Sequence, residues 1–299
     1  MNFTSTALEP LWQNTHTQQW PHHTLYVVAT PIGNIADISI RALYALQLAD
    51  AIACEDTRHS KPLLAQYGIS KPLIAVHDHN ETEAAAGLIE RLRNGERIAL
   101  ITDAGTPAIS DPGARVVAAA HAAGVRVMPI AGASAAVTAM SAAGLDGGFQ
   151  FVGFLPSKTM ARAHALTALA RTPTNLVFYE APHRLHETIA AMAELFPNRR
   201  LTVAKELSKL HESVLTIALQ EAPDWLASAP APRGEYVLIL SAPNTEISTD
   251  TPTWHSTLQV LLGELPLKQA VALTVKLTQA SKNDVYTHAL ALKNNTVSS

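Results

Sequence analysis

I-A-L-I-T-D-A-G-T-P-A-I-S-D-P-G-A, residues Ile98 to Ala114, is the stretch that decides how this chain folds. Ile98 to Ile101 are apolar without a polar break, which reads as a short buried strand. Thr102, Asp103, Gly105, Thr106 and Pro107 stop it abruptly. Asp111-Pro112 then predicts a helix with proline at its first position, running to Ala123. A strand entering a Gly/Thr/Pro turn and then a helix leaves backbone amides and one carboxylate facing the crevice beyond the strand's carboxyl end. Open α/β sheets build ligand sites in that place.

Outward from this unit, the same grammar repeats. Strands are predicted at Leu25–Ala29, Ala51–Cys54, Leu73–Val76 and Val125–Met128. Helices are predicted over Ser39–Leu48, near Lys61–Tyr67, over Glu81–Arg93 and, led into by Ala131 to Ala135, to about Ala143. Five strand–helix units with short connections imply a mostly parallel sheet covered on both faces. Gly144 to Gly148 reads as a hinge. Beyond it come strands Phe151–Leu155, Asn175–Tyr179, Leu201–Glu206, Glu212–Ala218 and Glu235–Leu240, with helices near Ala161–Ala170 and over Leu185–Leu195. The last strands lack helical connections, which predicts a mixed or antiparallel sheet. Residues 241–253 have linker composition. From Trp254 two or three short helices follow, one with an apolar face of Leu258, Leu261, Leu262 and Leu265, another with Ala270, Val271, Leu273 and Leu277. The expected organisation is therefore a flexible arm at 1–24, an α/β domain at 25–145, a second at 146–241 and a small helical segment at 253–299.

Composition narrows the functional classes. The 299 residues are 47% hydrophobic and 16% charged, enough for a real core. One cysteine, Cys54, excludes an internal disulfide and points to a reducing cytoplasm, with Cys54 itself a small core residue. No secretory signal pattern stands at the start. The uncharged run Val127 to Leu145 holds Pro129 and many small residues, so it reads as a buried strand and helix rather than a membrane span. A net charge of −3 gives no bulk electrostatic sign of a nucleic-acid partner.

Three loops after strands of the first domain offer what a polar ligand needs: Thr30-Pro31-Ile32-Gly33-Asn34, Asp103-Ala104-Gly105-Thr106-Pro107, and Gly132-Ala133-Ser134-Ala135 at a helix start. None matches the dinucleotide fingerprint or the P-loop. Cys54-Glu55-Asp56-Thr57-Arg58-His59 places four ionisable side chains after a buried strand, either a solvated loop with Arg58 paired to an acid or a polar lip with Asp56 or His59 free for proton transfer. His77-Asp78-His79 lacks the further ligands a metal site needs, and no metal is expected. In the second half, Tyr179 to Arg184, Lys205 to Lys209 and Arg233 to Tyr236 sit at strand ends, either as loop ion pairs or as a basic rim for a phosphate-rich substrate.

Taken together, T-P-I-G-N, A-C-E-D-T-R-H, H-D-H-N-E, T-D-A-G-T-P-A-I-S-D-P-G, G-F-L-P, F-Y-E-A-P-H-R, K-E-L-S-K and R-G-E-Y-V follow in an order that closely resembles the bacterial small-subunit ribosomal RNA cytidine 2′-O-methyltransferase I family. That family belongs to the tetrapyrrole (corrin/porphyrin) methylase superfamily, and the resemblance spans about Leu25 to Leu292. It implies two α/β lobes with S-adenosylmethionine in the cleft, a small-subunit rRNA substrate within the 30S subunit, a homodimer, and no membrane. Carried to matching positions, it implies cofactor contacts from Pro31, Gly33, Asp103, Gly105, Thr106, Pro107, Ser134 and Ala135. It places Glu55, Asp56, Arg58 and His59 toward the acceptor; since a protonated ribose hydroxyl is a poor nucleophile, Asp56 or His59 is the expected base. Arg58 and Lys205 would hold a neighbouring phosphate, with His183, Arg184 and Arg233 as further substrate contacts. The chain has Ala131-Gly132-Ala133-Ser134-Ala135 where such proteins commonly have P-G-P-S-A. The competing readings are a serine hydrolase using Ser134, a methylase of a small tetrapyrrole, and a non-catalytic ribosome-binding factor.

Overall fold

The computed structural model describes residues 8–228, 231–243 and 254–296, in two compact units that divide between Pro243 and Asn244. The first unit holds two five-stranded sheets. Its first sheet is built from β1 (Thr24–Val28), β2 (Ala51–Cys54), β3 (Leu73–Ala75), β4 (Arg97–Leu100) and β5 (Arg126–Ile130), all parallel, in the order β3-β2-β4-β1-β5. Strands β2 and β4 are almost wholly buried, as unbroken apolar runs between two helical layers must be. One layer packs on Tyr26, Ile52 and Ile101 and the other on Leu25, Ile98 and Leu100.

This order has a functional consequence. The loops after β2, β4, β1 and β5 leave from four adjacent strands at one end of the sheet, so E-D-T-R-H, D-A-G-T-P, T-P-I-G-N and A-G-A-S-A become neighbours although far apart in sequence.

The second sheet comprises β6 (Phe149–Phe154), β7 (Asn175–Glu180), β8 (Arg200–Lys205), β9 (Ser213–Ala218) and β10 (Tyr236–Leu240), in the order β6-β7-β10-β8-β9. Only β6 and β7 run parallel; the remaining pairs are antiparallel, giving the mixed sheet that the missing crossover helices implied. Because β10 opposes β7 and β8, its first residue, Tyr236, lies between Glu180 and Lys205 at their carboxyl ends.

Several expectations shift. Of the arm expected at 1–24, residues 1–7 lie outside the described residues, and residues 8–23 are tied to the body through Trp12 and Trp20. Helix α1 (Glu9–His16) sets Trp12 and His16 edge-on against Tyr44, and the buried Trp20 donates from Nε1 to the Thr15 carbonyl. Tyr44 lies on α2 (Ile40–Leu48), which Ser39 caps. Helix α3 runs over Thr57–Gln66, four residues earlier than expected, and α4 covers Glu81–Arg93. Helix α5 (Ala114–Ala122) begins after Pro112, because the buried carboxylate of Glu81 accepts the Gly113 and Arg115 amides and fixes the helix start there. The next helices are α6 (Ala135–Ala142), α7 (Thr159–Leu169), α8 (Leu185–Leu195) and the short α9 (Ala222–Ser228), which the sequence did not announce.

The second unit packs α10 (Trp254–Glu264), α11 (Leu267–Thr278) and α12 (Lys282–Thr296) around Leu258, Ala270, Val271, Val285 and Ala289. Leu273 and Leu277, expected inside, are exposed. The buried face of α11 instead turns through Thr274, whose hydroxyl donates to the Ala270 carbonyl at 2.8 Å. Of the predicted 241–253 linker, residues 244–253 lie outside the described residues. Among the described residues no helix is long and apolar enough to cross a membrane.

Candidate active site

Three first-sheet loops are bonded to one another as well as adjacent. Thr30 and Gly105 exchange both backbone hydrogen bonds, at 2.9 and 3.1 Å, and the Thr30 hydroxyl donates to the Thr102 carbonyl. The Thr106 hydroxyl donates to the Ala133 carbonyl at 3.0 Å. Gly105 takes φ +81°, a backbone state that side-chain-bearing residues rarely adopt. At Gly132 a Cβ would meet that of Ala29 at 2.8 Å, so this loop can lie against the end of β1 only without a side chain.

These loops form one wall of a cavity of about 300 Å³, and the ends of β6, β7, β8 and β10 form the other. Of the eight expected cofactor contacts, Gly105, Thr106, Ser134 and Ala135 line it; Pro31, Gly33, Asp103 and Pro107 do not, though each is next to a residue that does. Gly33 has a different duty: a Cβ there would lie 2.5 Å from Lys209 Cγ and 2.9 Å from the Leu207 carbonyl oxygen. It lets the T-P-I-G-N loop press against K-E-L-S-K, where Ser208 donates to Asp37 and Lys209 pairs with Glu206 and Glu235. The sequence reading missed Ile109, Asp111, Phe154, Ala204 and Val237 as lining residues, and named Ile32, Tyr179 and Tyr236 only as members of candidate loops. Most of them come from the second lobe, whose register no local motif reports.

The lip carries the Arg58–acid pair that the solvated-loop reading expected, with Asp56 as the acid, and adds a helix cap. Asp56 is the N-cap of α3, accepting the Arg58 amide at 2.8 Å, and it also takes a two-pronged ion pair from the Arg58 guanidinium. Those hydrogen bonds hold the Asp56 carboxyl far below the usual carboxylate range, which makes it a poor base. His59 is free of such ties on one side. Its Nδ1 donates to Asp103 Oδ2 at 3.0 Å, and its side chain is 73% exposed. Burial, with Asp103 second, raises the Glu55 carboxyl. Burial followed by repulsion from Glu55, Asp103 and Asp78 pushes Asp111 up to about 6. Asp111 lines the cavity with Glu55, Asp103 and Asp78 close enough behind it to repel its charge, so this side suits a ligand that carries positive charge.

The second-lobe cations divide in use. Arg184 is committed internally: it pairs with the fully buried Glu180 and donates to the Leu155 carbonyl, the loop ion pair that the residue pattern offered as one of two readings. Lys205 lies over the Tyr236 ring at 5.9 Å, while His183 and Arg233 are exposed. Arg58 keeps an 88% exposed side chain despite its pairing. Ser134 stands at the start of α6, beside Tyr179, whose hydroxyl accepts the Ala136 amide at 3.3 Å. No imidazole is bonded to Ser134 among the described residues.

The comparisons agree with this geometry. Residues 24–223 match the family model described as Tetrapyrrole (Corrin/Porphyrin) Methylases, and residues 249–293 match the RsmI C-terminal HTH domain. The chain is 48% identical over 273 residues to a "Ribosomal RNA small subunit methyltransferase I" of Pseudomonas aeruginosa, covering 89% of this chain and 96% of that one. It is 45% identical to the protein of the same name from Haemophilus influenzae, with the same coverages. Among solved structures, the uroporphyrin-III C-methyltransferase of Thermus thermophilus complexed with S-adenyl homocysteine shares the fold, at TM-score 0.52 and 19% identity over 73% of this chain and 97% of that one.

Proposed function

Because the chain belongs to the ribosomal RNA small subunit methyltransferase I family, on the tetrapyrrole methylase fold, we propose that its cavity binds S-adenosylmethionine and directs the methyl to the 2′-hydroxyl of a cytidine in the decoding region of small-subunit rRNA, in the 30S subunit. The observation that carries this reading is the joining of the Thr30, Gly105 and Ala133 loops into one wall of the cavity, on the side that carries Asp111. S-adenosylmethionine supplies a methyl already activated by its sulfonium, so the protein's work is alignment, exclusion of water and removal of one proton.

The backbone of Gly105 and Thr106, with Ser134 and Ala135 at the start of α6, would hold the co-substrate; Asp103, Asp111 and Glu55 would favour its positive charge. Pro31, Gly33 and Pro107 shape the wall from behind. His59 is the base. With Nδ1–H given to Asp103, the imidazole presents its Nε2 lone pair outward, ready to accept the proton of a ribose hydroxyl. Asp56 fixes the first turn of α3 and so the place of His59. Arg58, Lys205, His183 and Arg233 offer positive charge for phosphates flanking the acceptor. The family resemblance supports a cytoplasmic homodimer as the working form.

The test is transfer of tritiated methyl from S-adenosylmethionine to 30S subunits lacking the modification. Label in the 16S rRNA supports the reading, and label only in a small tetrapyrrole refutes it.

A further inference from the structure

At the cavity mouth, the backbone departs from regular geometry in two places that the co-substrate wall and the base leave unexplained. Ala108 and Ser110 have φ of +67° and +79°, left-handed states that side-chain-bearing residues hold only where surrounding structure imposes them. The residue between them, Ile109, lines the cavity yet is 43% exposed. On the second sheet, the β6–β7 register shifts between Phe151 and Gly153, and Gly153 has φ +76°. A bulge re-aims the side chain that follows it. That side chain is Phe154, which lines the same cavity and is 54% exposed. The two distortions abut, since a Cβ on Gly153 would lie 4.0 Å from Ser110 Oγ. Phe154 is edge-on to Tyr179, with ring centroids 5.7 Å apart, and the Ala136 amide holds the Tyr179 hydroxyl.

Two large apolar side chains are thus held in water by distorted backbone, at the rim where the acceptor must enter. That arrangement is unfavourable in the free protein and suits an occupant with apolar faces. We propose that Ile109 and Phe154 grip the planar base of the acceptor nucleotide, with Phe154 as the stacking surface. This deepens the methyl-transfer reading and rests on it. A ribose whose 2′-hydroxyl reaches the cavity carries its base one glycosidic bond away, so the base must lie at the rim. Bases splayed out of an RNA stack are held on aromatic side chains. Removing such a platform weakens binding about five- to a hundredfold.

The experiment measures methyl transfer to 30S subunits, S-adenosylhomocysteine affinity by calorimetry, and thermal melting for Phe154→Ala, Phe154→Trp and Ile109→Ala. Phe154→Ala should raise KM for subunits about tenfold or more, with S-adenosylhomocysteine affinity and melting temperature unchanged. Phe154→Trp should restore KM, and Ile109→Ala should raise it by a smaller factor. A subunit KM for Phe154→Ala within twofold of wild type overturns the proposal. So does a parallel loss of S-adenosylhomocysteine affinity, which would assign these residues to the co-substrate wall. Conversion of a dimer to a monomer by either alanine variant, read by sedimentation, also overturns it, because a second copy would then cover the patch. Absence of transfer by the wild-type protein would instead sink the methyl-transfer reading itself.

Discussion

Replacing Asp111 with Asn should stabilise the protein at neutral pH and leave it unchanged in acid. Burial and three neighbouring carboxylates raise Asp111 from an ordinary 3.8 to about 6. The folded state therefore holds this proton more tightly than the unfolded chain does. The stability linked to the neutral carboxyl is complete below its unfolded pKa of 3.8 and is lost as pH rises through about 6. A shift of roughly two units corresponds to at most about 3 kcal/mol. Asp111 is only partly buried, so solvent screening reduces this to about 1–2 kcal/mol. In a unit of 243 residues, that amounts to a rise in melting temperature of about 2–8 °C near pH 7.5. Asparagine is nearly isosteric and cannot ionise, so the gain should shrink steadily toward about pH 4 and vanish there. Melting followed by circular dichroism over this range, with and without 1 M salt, decides the matter. A shift of equal size at every pH, or a loss of stability near pH 7.5, would refute the argument from crowded carboxylates. The same variant should bind cationic S-adenosylmethionine more weakly while leaving the affinity for uncharged-sulfur S-adenosylhomocysteine less affected, because the field at stake acts on the sulfonium.

Three further outcomes follow from the site. His59→Ala should lower kcat about 10²- to 10⁴-fold with S-adenosylhomocysteine affinity unchanged, whereas Asp56→Asn should mainly cost about 1 kcal/mol through the weakened cap on α3; single-turnover assays and melting separate the two. Arg184→Ala should destabilise the fold by about 2–4 kcal/mol, at the lower end because the buried Glu180 keeps bonds from Ala181 and Thr188; an unchanged melting temperature with weakened subunit binding would restore Arg184 as a phosphate contact. Gly33→Ala should cost about 1–3 kcal/mol, since the new Cβ must displace Lys209 and meets the Leu207 carbonyl behind it; denaturant unfolding measures it.

What the sequence disclosed depended on how locally each feature is encoded. The β4 strand and its D-A-G-T-P turn are written in consecutive residues, and the repeated strand–helix units imply the parallel sheet that brings four loops to one end. E-D-T-R-H was harder to read. A helix starting near Lys61 leaves Asp56 in a loop, either paired with Arg58 or free; the helix starts at Thr57, so Asp56 is its cap as well as the partner of Arg58. Gly33 was legible as a glycine that permits close approach, but the body that approaches is Lys209, 176 positions away in sequence. Tyr236 and Tyr179 enter the cavity because β10 lies antiparallel between β7 and β8, a register no short motif carries. Asp111 was quoted as a helix opener; its proximity to Glu55, Asp78 and Asp103 exists only after three loops converge. Arg184 was read as substrate-facing because burial of Glu180 four residues earlier, at the end of a strand, cannot be seen in the sequence.

A ribose that has gained a methyl on its 2′-oxygen cannot be cleaved by alkali on its 3′ side, which makes the product directly readable. Undermodified 30S subunits, incubated with the protein and S-adenosylmethionine and then hydrolysed in alkali, should yield one new resistant dinucleotide whose 5′ residue is 2′-O-methylcytidine by mass spectrometry, and His59→Ala protein should form it about 10²- to 10⁴-fold more slowly. A new methyl on a base, or no resistant dinucleotide with the wild-type protein, would contradict the account at its centre.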